Sequence, residues 1–118
     1  MTKKEQRPTV LLGKTCRVKT GCGYLYTTTN SNNDGLPCEM FVRIGKSGGC
    51  IGAMAELTGR LASLALQAGV PIESIMETAR GIACHHPFGT GDEIVNSCAD
   101  AVAHNIQKYL EAKKKDAG

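Results

Sequence analysis

The chain reads as an α+β domain: an antiparallel β-meander of three to four strands, followed by three helices packed on one face. Three observations predict this. Alternating and β-branched residues dominate the sequence up to Ile44, the hydrophobic spacing changes to three and four residues after Gly49, and Gly- or Asn-rich turns separate the segments. At 118 residues the chain fits one domain, and no internal repeat divides it.

In chain order, Met1 to Arg7 is polar and charged, so residues 1–7 are expected to be a disordered leader. The domain is expected over residues 8–112, with a lysine-rich tail over 113–118. Thr9 to Leu12 is a short apolar run suited to an edge strand. Cys16 to Thr20 and Tyr24 to Thr29 read as two strands joined through the tight turn Gly21-Cys22-Gly23. Asn30 to Gly35 is turn chemistry throughout. Cys38 to Ile44 then alternates Cys38, Met40, Val42 and Ile44 against Glu39, Phe41 and Arg43, the pattern of a half-buried strand.

Met54, Leu57, Leu61, Leu64, Ala65 and Ala68 recur at helical spacing, which predicts an amphipathic helix over Ile51 to Ala68 ended by Gly69. Pro71 suits the first turn of a second helix, with Ile72, Ile75, Met76 and Ala79 on its apolar face and Gly81 closing it. Cys84 to Gly91 holds two His, one Pro and two Gly, so it reads as a loop. Residues 92–95 fit either that loop or an extra helical turn. Ser97 with Asp100 three positions on resembles a capping box, with Asp in place of Glu. The last helix would point Val102, Ala103, Ile106, Tyr109 and Leu110 inward.

Composition narrows the function. Apolar residues make up 42% of the chain, but aromatics only 4% and Trp is absent, so the core must be aliphatic and a metal or an oligomer contact would help it. The net charge of +3 is mild and gathers at the ends, and basic residues are not seen interleaved with aromatics on a folded face; a nucleic-acid partner is not expected. No apolar run approaches the roughly 20 residues of a membrane span, and the N-terminus lacks a signal-peptide core, so no membrane partner is expected and the location should be cytoplasmic. Thiols stay reduced there, so six cysteines argue for metal binding or redox chemistry over structural disulfides.

Four of the six, Cys22, Cys50, Cys84 and Cys98, fall at turns or helix starts, where thiols from distant segments can converge. A soft cation such as zinc takes four such ligands, with sulfur at about 2.3 Å. None is paired as C-x-x-C, and the intervening runs are 27, 33 and 13 residues, so spacing leaves metal, redox and plain packing readings open. A position in the first helical turn should lower the pKa of Cys50 and Cys98, which favours the first two readings alike. His85 or His86 could replace a cysteine. Cys16 and Cys38 sit inside strands and read as packing residues. Lys46, Ser47, Gly48 and Gly49 precede a helix and could hold an anion, although the P-loop pattern fails because Met40 stands where its first Gly belongs. No hydrolase constellation is present.

The segments Lys19-Thr-Gly-Cys-Gly23, Phe41-Val-Arg-Ile-Gly-Lys-Ser-Gly-Gly-Cys50, Gly59-Arg-Leu-Ala-Ser-Leu-Ala-Leu66, Gly81-Ile-Ala-Cys84 and Ser97-Cys-Ala-Asp100 together resemble the TSCPD domain. That domain occurs near the C-terminus of adenosylcobalamin-dependent class II ribonucleotide reductases and as small stand-alone proteins. The resemblance covers about Arg7 to Leu110. The name motif Thr-Ser-Cys-Pro-Asp falls on Asn96 to Asp100, with Asn for Thr and Ala for Pro, and the family's four cysteine positions match Cys22, Cys50, Cys84 and Cys98. The resemblance implies a stand-alone accessory domain with a metal-stabilised, redox or regulatory role, too short to be a ribonucleoside-diphosphate reductase by itself; the leading expectation is a zinc site on Cys22, Cys50, Cys84 and Cys98. Its partner would be such a reductase or another protein. A thiol-redox role in that reduction, a small nucleotide- or ligand-binding module and a homo-oligomer are the other expectations.

Overall fold

The computed structural model of the protein describes residues 9–45 and 49–117. Three strands, β1 (Leu12–Thr20), β2 (Gly23–Ser31) and β3 (Pro37–Ile44), form one antiparallel sheet in the order β1-β2-β3. Helices α1 (Gly49–Gln67), α2 (Ile72–Ala79) and α3 (Cys98–Ala117) follow, with a 3-10 turn at Gly91–Glu93. This is the α+β class read from the sequence, with three strands. Leu12 begins β1, while Thr9 and Val10 lie in bends outside the sheet. The expected leader, residues 1–7, falls outside the described residues. At the other end α3 continues as helix through Lys113, Lys114 and Lys115.

Strand alternation decides which side chains are buried. Leu25, Thr27 and Thr29 of β2 stand opposite Ile44, Val42 and Met40 of β3, and all six are buried on one face. Cys16 and Val18 of β1 extend that face and pack on the core. Helix α3 covers it with Ala101, Val102, Ile106 and Tyr109, and α2 adds Ile72 and Met76. Fully burying one such large side chain contributes roughly 1.5 to 3 kcal/mol, so Leu25, Met40 and Ile106 are the main apolar anchors. Asn105 is buried among them and ties α3 to β2: its Nδ2 donates to the Leu25 carbonyl at 3.1 Å and to Thr27 Oγ1 at 3.0 Å.

The opposite face carries Arg17, Lys19, Tyr24, Tyr26, Phe41 and Arg43. Register sets Arg17, Tyr26 and Arg43 in one row across the sheet. The Arg17 guanidinium lies 4.7 Å from the Tyr24 ring and that of Arg43 5.6 Å from Tyr26. Basic and aromatic residues are therefore interleaved on this face, although each strand alone gives little hint of it.

Helix α1 packs differently from expectation. Its buried residues are the small ones, Ala55, Gly59 and Ala62, together with Leu66, while Met54, Leu57, Leu61 and Leu64 of the apolar stripe are 45 to 64% exposed. The reason is that α1 runs along the free edge of β3, where an approach close enough to satisfy backbone groups excludes large side chains. Ser63 Oγ accepts from the Met40 N–H and donates to the Met40 carbonyl, and Gln67 Nε2 donates to the Cys38 carbonyl. A Cβ on Gly59 would stand 3.0 Å from both Met40 O and Val42 N. The helix thus covers an edge that would otherwise present unpaired N–H and C=O groups.

Candidate functional site

The site is built where the β1–β2 turn, the 84–96 loop and the start of α3 meet. Thr20 and Gly23 close a two-residue turn, and Gly23 takes a positive φ of 120° that suits glycine. The buried Thr20 hydroxyl donates to the Gly23 carbonyl at 2.7 Å and accepts from the Cys22 N–H at 3.0 Å. It also lies 3.6 Å from Cys98 Sγ. Because its one hydrogen is committed to Gly23, the Cys98 thiol is the donor in that contact.

The loop reaches this turn through contacts at both ends. Phe88 and Val95 exchange two backbone hydrogen bonds, and the Cys84 N–H donates to the Asn96 carbonyl at 3.0 Å, so the loop closes as a narrow hairpin. Residues 92–95 thereby resolve into the end of the 3-10 turn and a bridge strand, with Val95 buried. His86 packs on Gly21 so tightly that a Cβ there would lie 2.2 Å from the His86 carbonyl oxygen. Lys19 Nζ sits 5.3 Å from the Phe88 ring.

The capping pair at α3 divides its work. Ser97 Oγ accepts from the Asp100 N–H at 3.0 Å, the expected cap, and its own hydrogen goes to the Ile82 carbonyl. Asp100 takes a different role from the return bond of a capping box. Its carboxylate accepts from the N–H groups of Gly81 at 2.8 Å and Asn96 at 2.9 Å, with His104 Nε2 at 3.2 Å. Burial opposes ionisation of Asp100, but these hydrogen bonds and the His104 interaction outweigh it and hold the carboxyl below its ordinary value. One acid thus fixes the end of α2 and both flanks of the Cys98 turn.

Cys98 starts α3 beside the β1–β2 turn, within electrostatic reach of the Cys22 and Cys84 thiols. The Cys84 sulfur also accepts from the His86 N–H at 3.3 Å. All three are free thiols; Cys22 and Cys84 are exposed and Cys98 is half-buried. The expected lowering of the Cys98 pKa by its helix start is not found: burial pushes the thiol up, with the neighbouring thiols adding to it. A raised value is the reverse of what a nucleophilic thiol needs.

Cys50 is exposed as the second residue of α1. The chain enters its connection beside the site, since the Gly45 N–H donates to the Tyr24 carbonyl at 2.7 Å. Among the described residues no group of three or more His, Cys, Asp or Glu is arranged as a metal-holding cluster. Of the anion-binding candidates, Lys46, Ser47 and Gly48 lie outside the described residues, and Gly49 opens α1 with a positive φ of 70°. Cys16 packs against the core, as a strand cysteine should, and the Cys38 carbonyl receives Gln67. His85 is exposed and meets His86 edge to face at 5.8 Å. Thr20 escaped the sequence reading; its only signal was a hydroxyl next to a glycine turn.

Comparison with known families settles the lineage, because the TSCPD domain model matches residues 1–110 of the chain. The chain belongs to the TSCPD domain family. No curated protein and no solved structure gives a match. In this TSCPD domain the Ser97, Cys98 and Asp100 positions of the name motif have separate physical tasks: Ser97 caps α3, Asp100 gathers the surrounding backbone, and Cys98 is presented to Cys22 and Cys84. Ala99 replaces the motif's Pro without loss of the helix start, since α3 begins at Cys98. Among the described residues no helix is long and apolar enough to cross a membrane.

Proposed function

We propose that this TSCPD domain is a non-catalytic accessory module of ribonucleotide reduction whose Cys22, Cys50, Cys84 and Cys98 hold one zinc ion. The observation that supports the reading is that Cys22 and Cys84, from two other segments, lie within electrostatic reach of Cys98, all three as free thiols. Thiols from separate segments are a donor set suited to a soft cation. The backbone N–H of His86 directed at Cys84 Sγ supports it further, because such a bond orients and stabilises a thiolate ligand. Cys50 is the fourth ligand, from the α1 start whose connection leaves the sheet beside the site. A zinc ion with four thiolate ligands has no open position, so it would crosslink the turn, the loop and the two helix starts.

The described fold, one three-stranded sheet and three helices, holds no barrel for radical chemistry, so the expected partner is a reductase or another protein of that pathway. The test is zinc content of protein purified without added metal, with and without Cys84→Ser. One zinc per chain, lost in the variant together with thermal stability, supports the reading. A folded, metal-free protein with six reactive thiols overturns it.

A redox role is the second reading, favoured by the electrostatic influence of the Cys22 thiol on Cys98. Mild oxidation followed by peptide mapping separates the two: reversible Cys22 to Cys98 linkage in zinc-loaded protein favours the redox role.

A further inference from the structure

The outward stripe of α1 is an apolar feature that the fold leaves uncovered among the described residues. Met54, Leu57, Leu61 and Leu64 are 60, 45, 56 and 64% exposed, and Leu64 also borders the cleft between α1 and β3. Together they expose on the order of 400 Å², as large as the biggest apolar patch of a typical monomer, a size often tied to function. Outside the described residues, positions 1–8, 46–48 and 118 carry only Met1 and Pro8 as apolar side chains.

The stripe has its own pattern. Positions 54, 57, 61 and 64 step by three, four and three residues, the a/d spacing of a helix that packs on another helix. One flank bears Glu56 and Arg60, joined at 2.8 Å and both mostly exposed, while the other flank, with Thr58 and Ala65, has no charge. A parallel pair of copies would set the charged flank against the neutral one. An antiparallel pair sets charged flank on charged flank, so that Arg60 reaches the partner's Glu56 and the reverse. In the same register Leu57 faces the partner's Leu61, and Met54 the partner's Leu64. This is the self-complementarity that a two-fold interface requires.

We infer that the protein is a homodimer in which two α1 helices pack antiparallel through Met54, Leu57, Leu61 and Leu64, with Glu56 and Arg60 paired across the two-fold. A standard interface buries about 800 Å² on each partner, so the stripe supplies roughly half and the helix flanks the remainder. The inference does not depend on the zinc site, since none of these residues belongs to it.

Sedimentation equilibrium on the full chain tests this. The wild type should run at twice the chain mass, and Leu61→Glu should weaken association on the order of 100-fold or more, because each copy then sets an unpaired carboxylate against the partner's Leu57 in an apolar seam. Circular dichroism and zinc content should be unchanged in this variant, since Leu61 is exposed in the single chain. Glu56→Arg should weaken the dimer, and adding Arg60→Glu should restore it, a rescue that an unrelated partner would not give. A wild type that stays monomeric as concentration rises, a dimer that survives Leu61→Glu, or a charge swap that fails to restore association overturns the inference.

Discussion

One hydroxyl joins Ser63 to both backbone groups of Met40, accepting from its N–H at 2.8 Å and donating to its carbonyl at 3.0 Å. Those two groups point away from β2, so Ser63 substitutes for the next strand. Ser63→Ala should leave both unpaired beneath α1 and cost about 1 to 3 kcal/mol. Chemical denaturation should show the loss, and the Met40 amide should exchange faster with solvent. An unchanged Met40 exchange rate would mean that water or a shifted helix replaces the hydroxyl.

Gly59 makes the same approach possible. Gly59→Val should force α1 off the β3 edge and destabilise by about 1 to 3 kcal/mol, despite the helix propensity gained. Gly52 has open space at its Cβ position and serves as the control: Gly52→Ala should be neutral or stabilising by up to about 1 kcal/mol.

The α1 result also shows where the sequence was legible. The three strands, the Gly21 to Gly23 turn and the helix spacing could be read because period and turn chemistry are local. Which side of α1 faces inward could not, because large apolar residues at helical spacing predict a buried face, whereas the geometry of an edge-covering helix selects small ones. The candidate site was legible as four cysteines at turns, of which Cys22 and Cys84 lie within electrostatic reach of Cys98. The roles of Thr20 and of Asp100 toward Gly81 were hidden because each depends on segments distant in sequence. The basic and aromatic face of the sheet was hidden for the same reason.

Asp100 links stability to pH. Its carboxyl is held below the ordinary 3.8, so its contribution is fully present above that value and is lost as pH falls through the lowered folded value. Asp100→Asn should cost about 2 to 4 kcal/mol near neutrality through lost charged hydrogen bonds. The gap between wild type and variant should close as acid protonates Asp100. Urea titrations of both proteins with chelator present, run from neutral to strongly acidic pH, measure that gap; a constant gap would contradict the role given to the carboxylate.

Asn105 offers a test of the α3 to β2 tie. Asn105→Ala removes the donor to the Leu25 carbonyl and Thr27 Oγ1 inside the core and should cost about 1 to 3 kcal/mol. Thermal unfolding should register it with metal content unchanged, since Asn105 is none of the four proposed ligands.

The most direct measurement of the central claim is X-ray absorption at the zinc edge of the purified protein. Four sulfurs at about 2.3 Å are predicted for the wild type, falling to three with Cys50→Ser. Absence of zinc, or a shell of nitrogen and oxygen that Cys50→Ser leaves unchanged, would contradict the assignment of Cys22, Cys50, Cys84 and Cys98 to one metal centre.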